Sequence, residues 1–276
     1  MIGNRLRPYR AILSARFRML LQYRAAALAG LWTQIFFGLV LLMIYEAFYR
    51  STTANPPMLF AEVVSYVWLG QALLAMLPWN ADAELRAMIR SGTVAYELCR
   101  PIDLYSLWYA RALALRTAPT ILRAVPMCVF ATVVLPAVGL AEWRLASPPS
   151  TAALLAFGAT LVCTVLLGCA LTTLMNISLL WTISGDGAVI LLTTLVTFLS
   201  GMIVPIPLFP DWAQPIVLAL PFAGLIDLPF RVFTGHIPPA AVLSVLQHQI
   251  VWTVALVLFG RWLLSHGIRR VVVQGG

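Results

Sequence analysis

Ionisable side chains are most closely spaced in one polar segment of the sequence, residues 80–103. It mixes acids and arginines with apolar side chains, which is typical of a surface that docks a partner protein. The alternative is an ordinary solvated loop. Asp82 can cap a short helix that ends at Ser91 and Gly92, and Asp103 can cap the next helix. The residues predicted to contact a partner are Asp82, Glu84, Arg86, Met88, Arg90, Glu97 and Arg100.

The absence of lysine from the sequence excludes several chemistries. All eighteen basic residues are arginine. A P-loop needs a lysine that reaches the β- and γ-phosphates of the nucleotide, and a retinal or pyridoxal Schiff base needs a lysine amine. An ATP-driven role of this chain must therefore draw its energy from another polypeptide.

Hydroxyl and amide side chains form a second constellation. Thr193, Thr197 and Ser200 are four and three residues apart, so they share one face of a helix. Together with Asn176, they are candidates for lining a translocation path. The alternative, which the residues favour, is helix packing through small and hydroxylated side chains. Every acidic residue lies near the end of an apolar segment, which argues against a proton relay or an ion channel.

No other residues form a recognisable catalytic or metal-binding pattern. The four cysteines include no C-x-x-C pair and the three histidines are scattered, so we predict buried free thiols and no metal site. G-x-S-x-G is absent, and no Ser/His/Asp or Cys/His motif is present. We therefore predict no catalytic residues, although a membrane-embedded lipid-modifying enzyme stays an alternative.

Membrane-spanning helices must position these residues. The chain is 61% hydrophobic and only 10% charged, whereas a soluble domain carries about 25% charged residues. The apolar stretches run for about 20 residues, which indicates helices, because barrel strands alternate over about 10 residues. We predict an all-α membrane protein, and we assign the net charge of +8 to membrane contacts and not to nucleic acid.

Six transmembrane helices follow from the lengths of the apolar segments. They are predicted at residues 25–45, 63–79, 124–141, 151–175, 188–204 and 240–264. The apolar stretch 213–226 is too short to cross and contains Pro215 and Pro221, so 205–230 is predicted to be a re-entrant helical hairpin on the outer side. Residues 25–264 would form one transmembrane domain, and 265–276 a cytoplasmic tail.

The N-terminal segment, residues 1–24, has the pattern of an amphipathic helix in the membrane interface. It contains six arginines beside an apolar stripe that includes Leu6, Leu13 and Leu20. A signal peptide is rejected because the following apolar run of 21 residues exceeds an h-region of about 7–15.

Arginine counting sets the orientation. With the N-terminus inside, fifteen of the eighteen arginines face the cytoplasm, and only Arg50, Arg144 and Arg231 face outwards. Basic residues accumulate on the cytoplasmic side of membrane proteins. Both termini are therefore predicted to be cytoplasmic.

Several motifs, taken in order, resemble those of the type-2 ABC exporter permeases over nearly the whole chain. The arginine-rich helix precedes the first span. The inner loop, 91–102, reads SGTVAYELCRPI, similar to a Gly…Leu-Leu-Arg-Pro-Leu pattern of the family, although Cys99 stands where the family often has an aliphatic residue. Residues 198–212 read FLSGMIVPIPLFPDW and are followed by Leu220-Pro221-Phe222, which is similar to the signature before the outer re-entrant helices.

The resemblance implies a permease subunit of an ATP-binding-cassette exporter, close to the group in which two permeases pair over ATPase subunits. Its partners would be those ATPase subunits, which bind ATP and Mg, and a second permease chain, identical or homologous. The polar segment 80–103 would be the coupling loop, and the substrate would be amphiphilic or hydrophobic. The outer gate would include Phe209, Trp212, Pro221 and Phe222.

Two further expectations complete this interpretation. The arginine- and alanine-rich composition is typical of a GC-rich bacterial genome, which places the chain in a bacterial inner membrane. A secondary transporter is the other alternative, but its inverted repeats would give an internal symmetry that the sequence lacks.

Overall fold

The computed structural model describes residues 2–22, 24–52, 56–181 and 186–268. Every regular element in these ranges is helical, which confirms the predicted all-α class. Short 3₁₀ turns connect several helices. The α-helices are α1 (Ile2–Gln22), α2 (Arg24–Ser51), α3 (Phe60–Ala72), α4 (Ala83–Arg90), α5 (Ala95–Leu98), α6 (Leu104–Val129), α7 (Leu135–Ala137), α8 (Thr151–Ser178), α9 (Asp186–Leu199), α10 (Gln214–Ala219), α11 (Asp227–Phe233) and α12 (Val242–Gly267).

Four helical stretches are long and apolar enough to cross a membrane. They are Leu28–Ser51, Leu104–Ala137, Thr151–Ser178 and Pro239–Gly267. The second of these joins α6 to α7 through a π-helical turn at Phe130–Val134. These stretches correspond to the first, third, fourth and sixth predicted spans, so the chain is a helical membrane protein with several spans.

The second and fifth predicted spans contain shorter helices. Helix α3 has 13 residues and α9 has 14. The first of these ends at Ala72 and is followed by a 3₁₀ turn at Leu74–Met76, which gives way to an extended Leu77, because the residue directly ahead of a proline disfavours helical backbone. Helix α9 ends just before Gly201, whose φ of +85° is a left-handed conformation that stops a helix. Hydropathy detects neither backbone feature, and the six-span count stays a prediction.

Helix α3 is the centre of the hydrophobic core. All ten residues of Val63–Ala72 are buried, as expected for a helix that is surrounded by protein on every side. Both α2 and α6 pack against it. The ring of Tyr66 lies 5.0 Å from that of Phe230 on α11, so α3 also contacts the segment that follows α9.

The remaining helices lie around this core. Helix α1 packs along α6, where the Asp103 amide donates a 2.9 Å hydrogen bond to the Tyr9 hydroxyl. Helix α12 packs against α8. The predicted re-entrant segment contains α10, the start of α11 and two 3₁₀ turns; its position in the bilayer stays a prediction, as does that of α1. Residues 182–185, between the fourth and fifth predicted spans, and the predicted tail from 269 onwards lie outside the described residues.

Candidate functional site

Asp82 joins the polar segment to two neighbouring helices. Its carboxylate caps α4 by accepting from the Glu84 amide at 3.0 Å, which confirms the predicted cap. It also accepts from Arg16 of α1 at 2.7 Å and from Arg111 of α6 at 3.3 Å. The Asp82 amide donates to Asn176 of α8 at 2.8 Å. One buried residue thus connects α4 with α1, α6 and α8.

Glu97 is the second buried carboxylate of the segment. It accepts from Arg111 at 2.8 Å and from the Trp108 indole at 2.9 Å. Arg111 therefore lies between two buried acids, and it also approaches the exposed Glu84 at 3.1 Å. A buried guanidinium is tolerated when carboxylates surround it in this way. We call Arg16, Asp82, Glu97 and Arg111 the Asp82 cluster.

Arg116 holds the connection between α3 and α4 without an acidic partner. Its guanidinium donates to the carbonyls of Leu77 at 2.7 Å and Asn80 at 2.5 Å, and to the Thr172 hydroxyl at 2.9 Å. No carboxylate of the described residues lies within ion-pair distance of it. The end of α3 is thereby bonded to α6 and α8.

The segment around α4 and α5 has one side packed on the bundle and another side at the surface. Leu85 is buried and Met88 half-buried among residues of α6, α8 and α12, whereas Glu84, Arg90 and Arg100 are exposed. Arg86 and Arg90 pair with Asp186, the first residue of α9, at 2.8 and 3.5 Å. The predicted partner-contact residues thus divide into a buried set, Asp82 and Glu97, and a set nearer the surface.

Sequence reasoning missed two exposed apolar residues as candidates. Tyr96 is 72% exposed and Leu98 is 38% exposed, beside the exposed thiol of Cys99. An aromatic residue exposed in a polar loop is unusual unless a partner covers it. Both residues flank the buried Glu97 and lie on the other side of the short helix α5, but the sequence alone does not indicate that Glu97 is buried.

The four candidate path residues lie on or next to two helices: Asn176 is on α8, Thr193 and Thr197 are on α9, and Ser200 follows α9. Asn176 accepts from Asp82, and the Thr193 hydroxyl donates to the Trp79 carbonyl at 2.9 Å. The Thr197 hydroxyl donates to Thr193 within α9. Ser200 is buried, and its carbonyl accepts from the Asp227 amide at 3.1 Å. Three of these side chains thus form hydrogen bonds within the chain, and a path along them stays a prediction.

A second buried polar cluster follows α9. The Asp227 carboxylate is fully buried and accepts from the Tyr66 hydroxyl at 3.1 Å and from the Ile206 amide at 3.0 Å. Arg231 lies 3.5 Å from its other oxygen. We call Tyr66, Ile206, Asp227 and Arg231 the Asp227 cluster. It bonds the segment after α9 to α3 and α11.

The predicted gate residues differ in how far they are exposed. Pro221 and Phe222 are buried, whereas Trp212 is 75% exposed. Phe209 lines an apolar groove of about 1090 Å³ between α2 and the segment after α9. Tyr45 of α2 also lines this groove, and its hydroxyl donates a 2.7 Å hydrogen bond to the Ile203 carbonyl. The four residues therefore differ in exposure, and their role as an outer gate stays a prediction.

Among the described residues, no three His, Cys, Asp or Glu side chains form a group that could hold a metal ion. The four cysteines are free thiols, but of these only Cys169 is buried; Cys128 and Cys163 are half-buried, and Cys99 is exposed, which corrects the prediction that the thiols are buried.

One comparison with known proteins identifies a protein family. The family model described as "ABC-2 family transporter protein" matches residues 35–275. No curated protein and no solved structure matches the chain.

Proposed function

The chain belongs to the ABC-2 family of transporter proteins, and from this premise we propose that it is the permease subunit of an exporter driven by a separate ATPase. Permeases of this family typically work with ATPase subunits. The lack of lysine supports the same division of labour, because no P-loop can form in this chain. ATP and Mg would be bound by the partner subunit.

We propose six spans with both termini in the cytoplasm. In this proposal each of the four long apolar helices crosses the membrane once, and the shorter helices α3 and α9 form the core of the other two crossings. The concentration of arginines in the segments that this topology places inside supports the orientation. Residues 80–103 then lie on the cytoplasmic side, where an ATPase can reach them.

The asymmetry of the α4 and α5 segment is the observation that carries the proposal. Its buried side is bonded to α1, α6 and α8 through the Asp82 cluster. Its other side presents Tyr96, Leu98 and charged groups to the surroundings. We assign the ATPase contact to this exposed side, and we assign Asp82 and Glu97 to holding the segment on the bundle, where it can transmit a push.

A continuous set of bonded elements supports transmission to the outer side. Arg116 holds the end of α3 beside the Asp82 cluster, and Tyr66 of the same helix bonds to Asp227. Movement of α4 would therefore shift α3 and the segment that contains the predicted gate. The apolar groove beside Phe209 suits an amphiphilic or hydrophobic substrate.

A second permease chain would complete the path. Helix α9 buries only Val189 and Val196, and leaves Ile190, Leu191 and Phe198 exposed. We propose that this face packs against α9 of the second chain, with Thr193 and Thr197 near the joint path.

The native thiol of Cys99 allows a direct test. The tagged chain is purified in mild detergent, co-purifying proteins are identified, and Cys99 is labelled with a maleimide. We expect a Walker-A-containing partner and slower labelling of Cys99 in the complex than in the isolated chain, with Cys99→Ser as the labelling control. Recovery without any such partner, under conditions that retain complexes, or equal labelling in both states, contradicts the proposal.

Charge reversal on α4 tests coupling. Arg86→Glu and Arg90→Glu together should abolish transport by the complex in vesicles while the chain stays inserted. Arg50→Glu is the matched control. Arg50 is exposed in the last turn of α2, away from the proposed ATPase contact, and among the described residues it pairs only with Glu46. Unchanged transport in the α4 variant would remove this surface from the ATPase contact.

A further inference from the structure

A groove separate from the proposed transport machinery lies between α1 and α12, with α6 as its floor. Its volume is about 380 Å³, which is within the range of small-molecule sites. Leu6 and Leu13 of α1, Leu113 of α6 and Val257 of α12 form its apolar walls, and Arg10 and Arg261 add two cationic groups. We call it the interfacial groove.

We infer that the interfacial groove binds an anionic phospholipid, with one acyl chain along the apolar walls and the phosphate between Arg10 and Arg261. The inference rests on the proposed topology for the position of α1 at the membrane surface, but it does not depend on transport activity, so lipid binding can be tested separately from transport.

The charge of the groove favours an anion. Arg10 has no ion-pair partner among the described residues. Helix α1, which forms one wall, contains arginines but no acidic residue over its whole length. Asp103 lies close in the chain to the groove residues Tyr105 and Ser106, and it pairs with Arg261 at 3.1 Å. A phosphate group would therefore meet an excess of positive charge.

Arg261 is held in position for such a contact. Its guanidinium lies 4.9 Å from the centre of the Tyr105 ring and donates to the Ser106 hydroxyl at 3.1 Å. The side chain is still 47% exposed, so part of its guanidinium is open to the groove. Tyr105 and Ser106 belong to the first turn of α6, where the helix dipole is positive.

The position of the groove fits a lipid better than a free anion. Its apolar walls would be left exposed to water by phosphate alone, whereas an acyl chain covers them. In the proposed topology, α1 lies at the cytoplasmic surface, where anionic lipids attract basic residues. The amphipathic pattern of α1 suits the same interface.

Lipid binding to the purified full-length chain tests this inference. Native mass spectrometry or equilibrium titration compares phosphatidylglycerol with phosphatidylcholine. We expect a preference for phosphatidylglycerol, and we expect Arg10→Gln and Arg261→Gln each to weaken its binding about fivefold, the contribution of one arginine near an anionic headgroup. Arg18→Gln is the matched control, because Arg18 lies on the same helix, is exposed, and bonds to Ser14.

A groove-filling variant tests the acyl-chain contact independently of charge. Leu113→Trp should weaken phosphatidylglycerol binding, whereas Leu155→Trp on α8, at a residue 75% exposed, should not. Three results would overturn the inference. They are no preference between the two lipids, undiminished phosphatidylglycerol binding when Arg10 and Arg261 are both changed to Gln, and displacement of phosphatidylglycerol by an equal concentration of inorganic phosphate, which would indicate a site for the free anion.

Discussion

The Asp82 and Asp227 clusters bury carboxylates in two different ways. In the Asp82 cluster, two acids are paired with arginines from α1 and α6. In the Asp227 cluster, one acid accepts mainly from neutral donors, the Tyr66 hydroxyl and the Ile206 amide, and Arg231 is more distant at 3.5 Å. Both satisfy buried charge, but only the first does so with buried opposite charges.

This difference indicates different mechanical roles. Removing one charge from the Asp82 cluster leaves its partners as uncompensated buried charges, so separating these side chains is unfavourable in free energy. The Asp227 cluster can lose single hydrogen bonds at lower cost. In the proposed exporter, we expect the first cluster to move as a unit with α4 and the second to be the point at which the outer segment can open.

The strongest test breaks the Asp82 cluster. Arg111→Met leaves Asp82 and Glu97 buried with less compensation, so we expect the free energy of unfolding to fall by about 3–5 kcal/mol. Denaturation in detergent micelles measures it. Arg50→Met, which removes an exposed pair with Glu46, should cost less than about 1 kcal/mol. Equal losses in the two variants would show that burial of the pairs is unimportant.

The next test removes the acceptor of the Asp227 cluster. Asp227→Leu leaves the Tyr66 hydroxyl and the Ile206 amide without a partner, and we expect a loss of about 1–3 kcal/mol in the same measurement. Asp227→Asn keeps one acceptor oxygen and should lose less. If the asparagine variant is as unstable as the leucine variant, the charge opposite Arg231 is decisive and the contrast between the clusters is wrong.

A smaller effect is expected where the backbone supports the Asp227 cluster. Gly201 has a φ of +85°, and a Cβ there would clash with the Tyr66 hydroxyl. Gly201→Ala should therefore lower the free energy of unfolding by about 1–2 kcal/mol. Gly158→Ala in α8 is the control, because no atom lies within 4 Å of its Cβ position, and helix propensity predicts a gain. Stabilisation at both positions would contradict the expectation.

The smallest effect concerns pH at the start of α6. Burial raises the pKa of Asp103, but hydrogen bonds from Ser106 and the charge of Arg261 outweigh it, so the pKa lies below its ordinary 3.8. The stability from this carboxylate is therefore present above about pH 4 and is lost as the pH falls through the lowered pKa. Melting temperatures between pH 3 and pH 6 should show a shallower acid slope for Asp103→Asn than for the wild type, whereas identical slopes would rule out the contribution.

Local signals predicted part of this organisation. The caps at Asp82 and Asp103 were predictable because a capping side chain bonds to amides two or three residues along the chain. Four spans were predictable from apolar length alone. The ends of α3 and α9 were not predictable from hydropathy, because it reports side-chain polarity and not backbone conformation, such as the extended Leu77 ahead of Pro78 or the left-handed Gly201.

Long-range partners were outside the reach of those signals. Arg16 and Asp82 are 66 residues apart, and Tyr66 and Asp227 are 161 apart. Nothing in the spacing of Asp82 and Glu97 distinguishes a buried acid from one that faces a partner. Their inward position depends on where α1 and α6 place Arg16 and Arg111.

The sequence by itself determined that this is a helical membrane protein and that the chain has no P-loop lysine, because composition and the lack of one residue type decide both. Only the tertiary structure decided which charges are buried, how α3 is enclosed, and where apolar surface is left open. The physical reason is that the free energy of a charge or an apolar group depends on what surrounds it, and distant segments supply those surroundings.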